Sequence, residues 1–306
     1  MLGEIFYWVL NMSITASVMG VIVLLLRKIR KLPPFVPYLL WVVPFIRLWV
    51  PFGLASEYSL VNLISKLTTR TVPIYGNAGS LIELTTTNYI MAADDYFPIA
   101  YKSSQLEAVF SVASVVWMII GTAILITSIV IYFITKSEIR SARHYRDNIY
   151  LSDKVSSPAV YGIFKPRIVL PADIAQDDLE YILLHENTHI RRGDNIWRLI
   201  AIVTACIHWF DPLVWIFLKY FLTDMELSCD HRVLSKSGPE KQKEYASVLL
   251  NCAEGKTVFV SSFKGAKVKV RIENILSYKK LTAFSGICFA ALITIIAIIL
   301  LTNAAV

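Results

Sequence analysis

Charge is scarce in this chain, and three long stretches have none. Only 17% of the 306 residues are charged while 56% are apolar, a balance that excludes an ordinary soluble globular protein. Residues 5–26, 108–135 and 281–306 contain no Asp, Glu, Lys or Arg. Each meets the roughly 20-residue length that crosses a bilayer core. A fourth stretch, 35–52, is interrupted by Pro37, Pro44, Pro51 and Arg47. It is predicted as a kinked span whose Arg47 snorkels or finds a protein partner. The first stretch lacks a basic flank and a small-residue cleavage site, so it reads as a span rather than a removable signal peptide. No CxxC pair occurs among Cys206, Cys229, Cys252 and Cys288, which leaves them as reduced, mostly packed residues. Internal repeats and low-complexity tracts are also missing. Nor is there a basic face on a recognisable nucleic-acid-binding fold, so no direct nucleic-acid contact is expected.

The charge that is present is unevenly spread. Arg27, Lys28, Arg30 and Lys31 follow the first span, residues 53–107 hold three basic against five acidic residues, and residues 136–280 hold 22 of the 30 Lys and Arg. The net charge of +7 is therefore first a topology signal. Positive-inside bias predicts both termini outside the cell membrane. The expected organisation is a membrane domain over 1–135 with an external loop at 53–107, a cytoplasmic domain over 136–280, and a last helix over 281–306.

Within 136–280, β-branched residues between turn signals predict short strands at 148–152, 158–163 and 167–170. After Pro171 the period changes to helical: Asp177, Asp178 and Glu180 fill a first turn, and Ile182, Leu183 and Ile190 follow on one face. That helix carries His185-Glu186-Asn187-Thr188-His189, an H-E-x-x-H motif. Residues four apart share a helix face, so both imidazoles can hold one zinc ion while Glu186 serves as general base toward the water it activates. Zinc in a catalytic site needs a third protein ligand. Arg192 and Asn195 stand where a metzincin would have Gly and His, which excludes that class. Downstream candidates are Asp194, His208, Asp224, Glu226, Asp230 and His231. Glu226 is preferred as the ligand, and Asp230, one turn further on, either orients a ligand histidine or is a solvated carboxylate.

Because His189 and Glu226 must meet at one ion, the apolar stretch 195–222, broken at Asp211-Pro212, enters the membrane twice or not at all. A helical hairpin is expected, buried against the other spans or dipping into the cytoplasmic leaflet, with Trp197, Trp209 and Trp215 near the interface. His208, inside it, is either a satisfied core histidine or a transition-state donor. The segment Ala159 to Ile163 is the candidate edge strand along which an extended peptide could lie, a fully internal strand being the alternative.

Several runs together carry a family resemblance. They are Ser157 to Pro171 (SPAVYGIFKPRIVLP), the H-E-x-x-H motif followed by Arg191-Arg192-Gly193-Asp194, His208-Trp209-Phe210-Asp211-Pro212, and Glu226-Leu227-Ser228-Cys229-Asp230. In these the chain resembles the BlaR/MecR family of membrane zinc peptidases, and more distantly the CAAX prenyl protease type. The resemblance implies an α-helical integral membrane protein with four transmembrane helices and a cytoplasmic α+β gluzincin-like zinc protease domain inserted before the last helix. It makes Glu226 the third ligand and a cytoplasmic protein, a transcriptional repressor or the peptidase itself, the expected substrate in antibiotic-response signalling. Antibiotic-sensing members continue into an external penicillin-binding domain, so the sensor is expected either as a separate partner or as a part of the protein beyond this sequence, beside the lipid bilayer and with room for a homodimer. Self-cleavage is expected at Ser262-Phe263, in a stretch, 257–270, that lacks helical period and is predicted extended. The competing reading is a non-catalytic signalling receptor with a structural zinc.

Overall fold

The computed structural model describes residues 2–29, 32–50, 55–56, 58–59, 104–155, 157–175, 178–254 and 261–304. Among them, three helices are long and apolar enough to cross a membrane: α1 (Leu2–Arg27), α4 (Ser104–Ile139) through its Ala108–Ser137 portion, and α10 (Ala283–Leu301). Half of the apolar stretch of α1 is buried, against 11% for α4 and 6% for α10, so α1 is the central post of the bundle. The other two turn residues such as Val112, Ile119, Phe284 and Ile287 outward.

The fourth expected span, 35–52, takes a different form. It is two short helices, α2 (Phe35–Leu40) and α3 (Val42–Trp49), together about 22 Å long against a core of roughly 30 Å. Pro44 has no N–H to offer the Leu40 carbonyl, so the helical ladder breaks at Trp41. Arg47 finds a protein partner: it is buried and its Nη2 donates to the Thr302 carbonyl at 3.3 Å. Beyond α3, β1 (Ala55–Ser56) runs parallel to β6 (Asn303–Ala304), which joins the ends of α3 and α10 at one end of the bundle.

The apolar stretch after the motif is a helical hairpin, α6 (Asp194–Ile207) and α7 (Pro212–Ser237), packed against the spans. Asp211 caps α7 by accepting the Leu213 N–H, and Pro212 at the first position costs no hydrogen bond. The hairpin tip is pinned inside the bundle. Ser17 Oγ donates to Asp211 at 2.6 Å, Ser13 meets His208 Nδ1 at 2.7 Å, and Trp117 Nε1 donates to the Ile207 carbonyl at 2.7 Å. At the other end of the bundle, Asp224 on α7 pairs with Arg27, the last residue of α1, at 2.7 Å. Cys206 lies within the bundle too, 3.8 Å from Ser128 of α4, as a packed residue.

Beyond Arg27 stands a small mixed sheet in the order β2-β3-β5-β4, made of β2 (Arg143–Arg146), β3 (Ile149–Ser152), β4 (Ala159–Tyr161) and β5 (Arg167–Pro171). The strands β3 and β5 are parallel and the outer pairs antiparallel. Three of these strands fall where the sequence predicts them; β2, exposed at every residue, has no such signal. Ile168 and Leu170 bury themselves against Ile182 of α5 (Leu179–Arg192) and Val248 of α8 (Gln242–Glu254). The strand β4 is an edge strand, and Asn195 Nδ2 donates to its Val160 carbonyl at 3.3 Å and to Gly162 at 2.9 Å.

The extended expectation for 257–270 is corrected from residue 261 onward, where α9 (Ser261–Leu276) is helical; 257–260 lie outside the described residues. Ile272 and Ile275 pack on Val233 and Tyr245, so tertiary burial decides a conformation that local periodicity leaves open.

Gly20 of α1 makes room for α7, because a Cβ there would overlap the buried Phe217 ring. Gly20→Val should cost about 1–3 kcal/mol and lower the melting midpoint of the detergent-solubilised protein. Phe217→Leu should restore part of it; equal midpoints for Gly20→Val and wild type would refute the packing.

Candidate metal centre

The i, i+4 spacing on α5 stacks His185 and His189 on one buried face, with their Nε2 atoms 3.1 Å apart. Glu226 arrives from α7, its Oε2 3.5 Å from Nε2 of His185 and 3.6 Å from Nε2 of His189. A tetrahedral ion with bonds of about 2.0–2.1 Å has ligand-to-ligand edges of about 3.3–3.4 Å, so this triangle has the size of one such ion.

Both rings are held from behind. Gly193 ends α5 at φ 66°, a left-handed conformation that suits glycine, and this turn brings Asp194 back to accept from His189 Nδ1 at 2.6 Å. His185 Nδ1 meets the Tyr245 hydroxyl at 2.8 Å, which in turn donates to Asp230 at 2.6 Å. With both Nδ1 atoms facing acceptors, both Nε2 lone pairs and the Glu226 carboxylate face one another, an arrangement that calls for a cation. Arg271 of α9 clamps Asp230 through two bonds of 2.7 and 2.8 Å and reaches Glu226 at 3.5 Å and His185 Nε2 at 3.3 Å. Arg192 holds Asp194 at 3.1 Å.

Electrostatics follow from this enclosure. Burial alone would favour neutral imidazoles. Cys229, Tyr245 and Asp230 around His185, and Asp194, Cys229 and Glu226 around His189, nevertheless raise both rings well above their ordinary range. Burial would also raise Glu226, but its bonds to the two histidines hold it well below the usual carboxylate range. Asp230 is likewise opposed by burial and pulled down to about 2 by Arg271. Glu186 goes the other way: burial raises its carboxyl, against the pull of the two histidines.

Cys229 offers a different third donor, since its sulfur lies within 4.8 Å of ring nitrogens of both histidines. Its thiol is turned to the His185 main-chain oxygen at 3.5 Å, whereas the Glu226 carboxylate faces both Nε2 atoms, so Glu226 fits the shared point better.

The structure thus gathers His185, Glu186, His189, Glu226 and Asp230 in one place. It does not bring His208 there. As a transition-state donor His208 is corrected: it sits at the far end of α6, about 20 Å along the helix from Asp194, and its two ring nitrogens are engaged by Ser13 and the Leu48 carbonyl. Asp224 is taken by Arg27 and Trp41, and His231 packs on Tyr278. Ser262 and Phe263 fall in the first turn of α9, away from any extended strand. Tyr245 and Arg271 have no motif of their own, because their partners stand 15 and 41 residues away in sequence.

Electron-pair donors gathered this way on an H-E-x-x-H helix, at the foot of a membrane bundle, mark a membrane protein of metallopeptidase type. The chain belongs to the BlaR1 peptidase M56 family, whose sequence model matches residues 7–275. It is 31% identical over 156 residues to the regulatory protein BlaR1 of Bacillus licheniformis, covering 47% of this chain and 25% of that protein. It is 28% identical over 141 residues to the methicillin resistance mecR1 protein of Staphylococcus aureus, covering 42% of this chain and 24% of that protein. The similarity therefore spans about a quarter of the length of these relatives.

Raised imidazoles must give up protons when they accept a divalent ion. Titration of the metal-free protein with zinc at pH 7 in buffers of different ionisation enthalpy should show release of at least one proton. Asp194→Asn and Tyr245→Phe should each weaken retention of the ion about 10–100-fold, read by competition with a chelator. Unchanged retention in both would show that the bonds behind the rings do not orient them.

Proposed function

We propose that the protein is a zinc-dependent membrane endopeptidase that cleaves a cytoplasmic protein of transcriptional-repressor kind, in a signalling response such as that to β-lactam antibiotics. The observation that carries this reading is the triangle of His185, His189 and Glu226, with Glu186 buried beside it on the same helix turn. The relatives' descriptions as regulatory and methicillin-resistance proteins support the signalling context. In this reading the region around the metal centre is a gluzincin-like protease domain, and α2–α3 is a fourth, short crossing that the bilayer meets by thinning.

His185, His189 and Glu226 would hold the ion. The chemistry a zinc ion held there would supply is Lewis acidity, enough to lower the pKa of water toward about 7 and to polarise a scissile carbonyl. Glu186, with its raised carboxyl, accepts the proton of the attacking water at a carboxylate oxygen and delivers it to the leaving amine nitrogen. The peptide would lie extended along the outer edge of β4, where it must displace the Asn195 amide from Val160 and Gly162 or pair beyond it. Self-cleavage at Ser262-Phe263 would need the first turn of α9 to unwind into that same cleft.

A second reading rests on Cys229. Were its sulfur to bind, the fourth position would close and the site would be structural, in a non-catalytic receptor. Glu186→Gln should retain zinc and slow cleavage by about 10²–10⁴-fold, measured by metal analysis and by sequencing the N-termini of cytoplasmic fragments. Cys229→Ser should keep both zinc and cleavage. Full cleavage by Glu186→Gln would sink the proposed mechanism, and loss of zinc in Cys229→Ser would favour the structural site. For the sidedness, a cysteine placed at Asn77 should react with an impermeant reagent added outside, and one at Lys243 should not; the reverse pattern would invert the topology.

A further inference from the structure

Beside the metal centre, a groove of about 480 Å³ opens between α2–α3, α6 and α7. Its depth relative to the bilayer can be read from α7. Asp224 meets Arg27, where the apolar run of α1 ends, so it marks the level at which charge begins. Phe221, one turn to the apolar side, lines the groove together with Val42 and Phe45 of α3. To the other side the lining becomes Ser228, Arg232 and Ser235. From Phe221 to Arg232 is about 16 Å along the helix, and over that length the wall changes from aromatic to cationic. Among the described residues, no carboxylate lines the groove. Arg232 is exposed, and the apolar rim continues outward through Leu39, 43% exposed, and Trp197, 41% exposed.

Apolar rings below the charged level, an exposed cation above it and a mouth on the outer surface complement an amphiphile of the bilayer that carries negative charge at its head. We propose that this groove binds an anionic phospholipid from the leaflet on the metal-centre side, with an acyl chain against Phe45 and Phe221 and its phosphate at Arg232. The site adjoins the metal centre. Arg192, in the groove wall with its guanidinium 4.5 Å from the Tyr38 ring, holds Asp194, and Asp194 holds His189. A bound lipid would thus steady the bond that orients one imidazole.

The test uses the full chain purified in detergent, with phosphatidylglycerol or phosphatidylcholine added as mixed micelles. Thermal unfolding and retained lipid are read by intrinsic fluorescence and mass spectrometry. Phosphatidylglycerol should raise the melting midpoint by several degrees more than phosphatidylcholine. Arg232→Glu, a surface change that leaves the fold intact, should remove the difference, and Val42→Trp, which fills the groove, should do the same. Lys154→Glu, an equal charge reversal on the exposed turn after β3, should leave it in place. Soluble glycerol phosphate should have no effect, which separates a lipid from a free phosphate. A difference that survives Arg232→Glu, a preference equally lost in Lys154→Glu, or equal effects of the two lipids would overturn the proposal.

Discussion

Two imidazole lone pairs and a carboxylate oxygen facing one another within 3.6 Å, in a buried place, cannot stand without positive charge between them. Much of the surrounding structure is arranged about that constraint. Arg192 offsets Asp194 and Arg271 offsets Asp230, so the carboxylates that fix the rings are themselves neutralised. Glu226 also meets Arg198 at 3.4 Å and Arg271 at 3.5 Å, yet its other contacts are the two imidazoles whose lone pairs it faces. In the absence of an ion the same demand appears as imidazoles raised above their ordinary range, with protons answering it in part.

Glu226 reaches this point along a rigid rod that begins inside the membrane bundle. The helix α7 runs unbroken for 26 residues from the cap at Asp211, level with Ser17 of α1, through Asp224 at the charged end of α1, to Glu226 and Asp230. The hairpin's polar anchors in the bundle are satisfied: His208 at the end of α6 by Ser13 and a carbonyl, Asp211 by Ser17, and Asp224 by Arg27 and Trp41. An unpaired polar group at this depth would cost several kcal/mol, so these bonds fix the height of the rod. The height of Glu226 opposite α5 follows from it.

The part of this that sequence makes legible is the part written in local periods. Charge-free runs mark the three long helices, and i, i+4 spacing marks the histidine pair together with Glu226 and Asp230 on one helix face. The break at Asp211-Pro212 marks the hairpin. In the stretch 35–52 the prolines make the kink legible, and it falls at Trp41 where Pro44 lacks an N–H, while the helix ends at Trp49 although the apolar run continues. The helix α9 is misread because its burial against Val233 and Tyr245 is a tertiary event. Tyr245 and Arg271 are illegible for the same reason: a tyrosine and an arginine on amphipathic helices resemble any others until the fold sets them on Asp230. Asp194 is visible as a candidate donor, but its place behind His189 depends on the left-handed turn at Gly193.

Arg271 also ties the metal centre to the membrane in a second way. It stands on α9, a few residues before α10, the outermost of the long helices, and it is bonded to Asp230 and Glu226 at once. Displacing α10 far enough to withdraw the guanidinium would leave the buried Asp230 without that cation, with Tyr245 still donating to it, a loss on the order of 3–5 kcal/mol. That keeps the displaced arrangement a minor state, populated at roughly 1% or less. A change that freed α9 would have to offset this loss with interactions made only in the displaced state. The first turn of α9, at Ser261 and Ser262, is under a weaker constraint, because the clamp at Arg271 lies more than two helical turns away. Fraying of that turn therefore needs no disturbance of Asp230, and an extended segment can form there while the metal centre stays whole.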